Sequence, residues 1–144
     1  MRCLVPALAV LTIGALPLAA QSSAREAVGN ASATLTPAIR VGNMVYASGQ
    51  LGMRRDATDQ SIGTQTRAAL ENVKRVLEEA GTRMDLAVRC TVFLTETADF
   101  QGMNAVYREF WPTSPPARST VVVKALVVPG AVVEIECMAV MPPA

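Results

Sequence analysis

The sequence predicts one α+β domain, a mixed sheet backed by two helices. Three observations lead there. Residues 64–80 carry apolar side chains at the i, i+3, i+4, i+7 spacing of a helix with one buried face. Segments near 86–94, 119–127 and 132–141 are rich in β-branched residues and bounded by turn formers, as strands are. A second amphipathic stretch, 100–111, lies between two of those strands and is stopped by prolines. At 144 residues the chain is long enough for one domain.

Residues 1–20 stand apart. Arg2 is the only charge, and an apolar run from Cys3 to Leu16 ends in Leu16-Pro17-Leu18-Ala19-Ala20. A basic start, a short apolar run and a small-residue end describe a secretory signal peptide, expected to be cut after Ala20. The run is shorter than the roughly 20 apolar residues of a membrane span. The expected product is therefore exported, in all expectation to the periplasm, with no stable membrane anchor. Losing Arg2 and Cys3 takes the formal charge from +1 to zero and leaves Cys90 and Cys137. An exported protein can join two cysteines in a disulfide. Two small buried thiols are the equally open alternative.

Residues 21–35 are small and polar and read as a flexible lead-in, with the folded domain over 36–144. Gly42-Asn43 marks the turn of a hairpin within 38–51. The charged stretch 54–63 reads as a surface loop. In the helix at 64–80, Ala69, Leu70, Val73, Val76, Leu77 and Ala80 form the buried stripe. Ser61 or Thr64 can cap its start, Gly81 suits the left-handed position after its end, and Glu71 and Arg75 are spaced to pair. In the strand at 86–94, Val88, Cys90, Val92 and Leu94 share the buried face. Asp99 is placed to cap the second helix, whose apolar side is Phe100, Met103, Tyr107, Phe110 and Trp111. Pro129-Gly130 turns the chain between the last two strands. Helices on one face leave the opposite sheet face without an intrachain partner. The strands carry apolar residues on both faces, notably Val121-Val122-Val123 and Val127-Val128, so packing on another subunit is expected.

The chain contains no histidine. That excludes a Ser–His–Asp triad, a Cys–His dyad and a His-ligated zinc. No metal and no cofactor are expected, and acid–base work falls to carboxylates, Tyr, Cys, Lys or water. A near-neutral charge with only two lysines, Lys74 and Lys124, argues against a nucleic-acid surface.

Four segments and the chain's closing strand carry a resemblance. The segments are Val41-Gly42-Asn43-Met44-Val45-Tyr46-Ala47-Ser48-Gly49-Gln50, Glu71-Asn72-Val73, Thr91-Val92-Phe93-Leu94 and Pro116-Ala117-Arg118-Ser119. The closing strand is Val133-Glu134-Ile135-Glu136-Cys137-Met138-Ala139-Val140. In this order they resemble the Rid family of reactive-intermediate deaminases, also called YjgF, over about residues 36–141. The resemblance implies a chorismate-mutase-like fold and a homotrimer with active sites between subunits. It also implies a hydrolase of the 2-iminobutanoate/2-iminopropanoate deaminase type. Such an enzyme converts small imino or enamino acids such as 2-aminoacrylate to 2-keto acids and ammonia. By the same resemblance Arg118 grips the substrate carboxylate and Glu134 handles water. Thr120 stands where many members have cysteine, and Ser48 and Asn104 line or brace the cleft. Leu35 replaces an aromatic wall residue, which leaves the substrate's size open. Two other readings are a non-catalytic trimer that binds a small carboxylate and a chaperone-like trimer that uses its apolar surface.

Overall fold

The computed structural model describes residues 24–53, 56 and 58–143. The leader expected over 1–20 lies outside them. Among the described residues seven strands form one sheet, with β1 (Arg25–Val28), β2 (Ala38–Val41), β3 (Met44–Ala47), β4 (Gln50–Leu51), β5 (Ala87–Leu94), β6 (Ala117–Val122) and β7 (Val133–Val140). The order is β1-β2-β3-β7-β5-β6, with β4 paired to β7. Pairing is antiparallel except between β5 and β6, which run parallel through α2 (Phe100–Phe110). The expected α+β class, one sheet and two helices, is what the chain adopts.

Strand β7 shows why the sheet is two-sided. Val133, Ile135, Cys137 and Ala139 are buried, while Glu134, Glu136, Met138 and Val140 alternate onto the other face. The buried row meets α1 (Ile62–Glu79), whose Ala69, Leu70, Val73, Val76 and Leu77 form the predicted stripe. Ser61 is the residue that caps α1, its side chain accepting the Thr64 amide, and Gly81 takes φ 85° just past the end. Among the described residues the second face has no intrachain cover, and Tyr46 and Val121 on it are 42% and 43% exposed.

Several local expectations are corrected. Part of the expected lead-in is strand β1, aligned with β2 from Arg25↔Val41 to Val28↔Ala38. Its pairing uses backbone groups, so a small polar composition gave little sign of it. The expected Glu71–Arg75 pair does not form. Arg75 instead meets Glu79 at 3.0 Å and Lys74 meets Glu78 at 3.8 Å. Val88 is exposed, because a register shift between Ala87 and Arg89 turns it away from the core. Asp99 precedes α2 but makes no side-chain cap bond. It ends a short 3-10 turn with helical backbone, whereas a capping residue is usually extended. The strand expected over 119–127 runs instead from Ala117 to Val122. The Val123 amide donates to the Leu94 carbonyl at the end of β5, beyond which no ladder remains, and Val127 is 90% exposed.

One buried polar residue was not anticipated. Gln65 of α1 is fully buried. Its Nε2 donates to the carbonyls of Gln60 (3.1 Å) and Gly130 (2.9 Å), and its Oε1 accepts the Val132 amide (3.0 Å). A single amide thus clamps the β6–β7 connection to the helix.

Candidate functional site

Register decides what the predicted residues can do together. Cys137, Cys90 and Arg118 lie in one row across β7, β5 and β6. Glu134, Phe93 and Val121 lie in another, an odd number of residues away along each strand. Odd spacing puts the two rows on opposite faces of the sheet. Arg118 therefore lies on the helix side and Glu134 on the uncovered side. Within one chain they do not meet.

Arg118 is the second residue of β6, separated from Pro115-Pro116 only by Ala117. Its guanidinium carbon lies 4.5 Å from the Tyr107 ring centroid and 5.9 Å from that of Phe100. Nη1 lies 3.9 Å from the Met103 sulfur. Among the described residues Arg118 makes no ion pair. Aromatic faces hold the cation by their quadrupoles while leaving its in-plane N–H groups for another acceptor. Tyr107 cannot neutralise it: burial, slightly opposed by Arg118 itself, pushes the phenol pKa up to about 12. The Tyr107 hydroxyl is buried without a hydrogen-bond partner.

A cavity of about 340 Å³ opens beside this arginine, between α2 and the start of β6. Asn104, Tyr107, Arg108 and Trp111 line it from the helix and Pro115 and Pro116 from the connection. Asn104 and Arg118 thus line the same cavity. Tyr107 and Trp111, which the helix stripe makes packing residues first, do both jobs. They are buried in the core and form a cavity wall, and the Trp111 ring N–H donates to the Met84 carbonyl at 2.8 Å. Their spacing of three and seven residues from Asn104 on one helix was the available signal.

Glu134 sits where β4 and β5 flank β7, aligned with Leu51 and Phe93. A side-chain carbon on Gly49 would fall on the Glu134 carboxyl, so glycine is needed for this approach. Asn72 of α1 holds the neighbouring strand by donating to the Leu51 carbonyl at 3.1 Å. Burial, and then the like charge of Glu136, raise the Glu134 pKa above the ordinary carboxylate value.

The remaining predicted residues scatter. Thr120 shares the helix side with Arg118, and its hydroxyl is buried with no partner. The Ser48 hydroxyl donates to the Thr36 carbonyl at 2.7 Å and lines a hollow on the uncovered face with Tyr46, Arg89 and Glu136. Leu35 is 54% exposed in a turn closed by Ser32, whose amide donates to the Leu35 carbonyl at 2.8 Å. Neither Ser48 nor Leu35 lines the Arg118 cavity. Cys90 and Cys137, left open by the sequence, are joined as a disulfide between directly paired residues of β5 and β7. Among the described residues no group of three or more His, Cys, Asp or Glu could hold a metal ion.

The family model described as endoribonuclease L-PSP matches residues 25–141, nearly every described residue. The chain belongs to the YjgF/Rid family. Among its relatives is the mitochondrial protein mmf1 of Schizosaccharomyces pombe, 39% identical over 105 residues. That match covers 71% of this chain and 65% of mmf1. Reactive Intermediate Deaminase A, a chloroplastic protein of Arabidopsis thaliana, is 36% identical over 132 residues, covering 86% of this chain and 70% of that protein. The crystal structure of E. coli TdcF with bound serine superposes with a TM-score of 0.74 at 29% identity, covering 81% of this chain and 99% of that one. The YjgF/Rid fold is thus shared across the whole sheet and both helices.

Proposed function

We propose that the protein hydrolyses 2-imino acids, and their enamine tautomers, to 2-keto acids and ammonia. The observation that carries this reading is Arg118, a cation seated on aromatic rings, facing a cavity and paired with no carboxylate. A planar guanidinium in that state can take a substrate carboxylate bidentately. A relative named as a reactive intermediate deaminase and a TdcF structure holding an amino acid support it.

In the reaction, water oxygen bonds to C2 and the C2–N bond breaks. Water supplies two protons to the imine nitrogen, which leaves as ammonia. Glu134 takes the first proton from water and returns it to nitrogen. Its raised pKa suits that task, since a carboxylate that burial and Glu136 make more basic than an exposed one takes a proton from water more readily. Because Arg118 and Glu134 occupy opposite faces, the working site combines Arg118 of one chain with Glu134 of another. A homotrimer closed through the uncovered sheet face provides that arrangement. The disulfide accords with an oxidising compartment and so with export to the periplasm.

The test generates imines in situ from a panel of amino acids and follows keto-acid release above the spontaneous rate. Wild type accelerates release, and Arg118→Ala falls by about 10²-fold, the range for losing a charged hydrogen-bond pair. Equal rates for the two proteins defeat the proposal. Ligand binding that needs Arg118 without turnover would leave a carboxylate-binding module. Indifference of both to Arg118 would favour the chaperone-like reading.

A further inference from the structure

The Arg118 cavity holds a second cation. Arg108, one residue after Tyr107 on α2, lines the same cavity of about 340 Å³. Its Nε donates to the Asn104 carbonyl at 3.3 Å, which folds the side chain back along the helix. That bond leaves its terminal N–H groups without a protein acceptor among the described residues. The adjacent acid, Glu109, is engaged with Arg67 at 2.7 Å. The lining contains two guanidiniums, one neutral amide, two aromatic rings and two prolines, and no carboxylate.

Two like charges lining one cavity, Arg108 from α2 and Arg118 from β6, repel each other, and no carboxylate in the lining offsets them. An anion that bridges them gains from both, and a dianion gains most. A ligand with a single carboxylate satisfies Arg118 and leaves Arg108 facing only water. The apolar surface of Trp111 and the prolines offers contact to a short aliphatic spacer but no acceptor.

We propose that this cavity selects 2-imino acids whose side chain ends in a second carboxylate, with Arg118 taking the carboxylate beside the imine and Arg108 the distal one. The proposal rests on the reading of Arg118 as a carboxylate clamp and adds Arg108 as the specificity-determining residue.

Stable keto-acid products serve as probes. 2-Oxoglutarate and 2-oxopentanoate have the same chain length and differ in a terminal carboxylate against a methyl group. Trp111 is the chain's single tryptophan and lines the cavity, so its fluorescence reports binding. Wild type is expected to bind 2-oxoglutarate at least about tenfold tighter, the effect of one added charge-assisted contact. Arg108→Gln brings 2-oxoglutarate to the level of 2-oxopentanoate and leaves 2-oxopentanoate unchanged, while Arg108→Lys keeps part of the preference. Equal binding of both ligands by wild type, no response to 2-oxoglutarate, or an equal weakening of both by Arg108→Gln overturns the proposal. The parent reading is tested separately. If Arg118→Ala leaves 2-oxopentanoate binding intact, the clamp assignment fails, whatever the two ligands show at Arg108.

Discussion

Arg118 and Glu134 differ in how the fold prepares them. Arg118 needs no help to stay charged, so the fold supplies orientation through Tyr107 and Phe100. Tyr107→Leu removes that seat. It is expected to raise KM several-fold with little change in kcat, while Tyr107→Phe keeps the ring and behaves as wild type. Glu134 needs its proton affinity tuned, and burial followed by Glu136 does so. Catalysis that uses the ionised carboxylate rises with pH through this raised pKa and then levels. Glu136→Gln removes the like charge and moves that rising limb to lower pH in a pH–rate profile, with burial still holding it above the ordinary value. Glu134→Gln abolishes the limb and most of the rate. For stability the sign is opposite. A carboxyl whose folded pKa is raised favours the fold most at low pH, below its unfolded value. That contribution fades as pH rises through the folded pKa. An unchanged profile in Glu136→Gln would dissociate the two carboxylates.

At the scale of elements, Gln65 ties the β6–β7 connection to α1 through three hydrogen bonds. Gln65→Leu leaves the Val132 amide and the Gly130 carbonyl without that partner. It is expected to cost about 1–3 kcal/mol for each group left buried, read from urea unfolding. Elements were also where the sequence was most informative. The α1 stripe, the Gly42 and Gly130 turns and the alternation in β7 follow from periodicity and turn chemistry, which act over a few residues. Strand β1 and the early end of β6 did not, because strand length depends on whether a neighbour is present to pair with. The site shows the same division. Arg118 lies in a motif segment and Asn104 was named through the resemblance, and both line one cavity. Ser48 and Leu35 were named through the same resemblance but lie away from that cavity. That Arg118 and Glu134 face opposite ways depends on the β5–β6 and β5–β7 registers, which no local pattern encodes.

For the whole molecule, the opposed faces give a decisive experiment. Arg118→Ala and Glu134→Ala are each expected to be inactive alone. After mixing, unfolding and reassembly, random chains in a cyclic assembly should recover about a quarter of wild-type activity, since each site then draws one intact residue from each neighbour. No recovery would show that one chain supplies both residues. The disulfide acts at the same scale. It closes a separation of 47 residues between Cys90 and Cys137. The chain-entropy relation gives a loss of roughly 4 kcal/mol for Cys90→Ala with Cys137→Ala, as a fall in the unfolding midpoint.

The placement of β7 has a consequence for how the protein comes into being. It follows every other strand in chain order, yet it sits at the middle of the sheet, between β3 and β5, and also carries β4. Chains are made from the N-terminus. Until β7 arrives, the β1–β3 meander and the β5–α2–β6 unit have no shared strand, and Cys90 has no Cys137 to meet. The pieces must wait open and apart, and the final stretch of polypeptide turns them into one sheet.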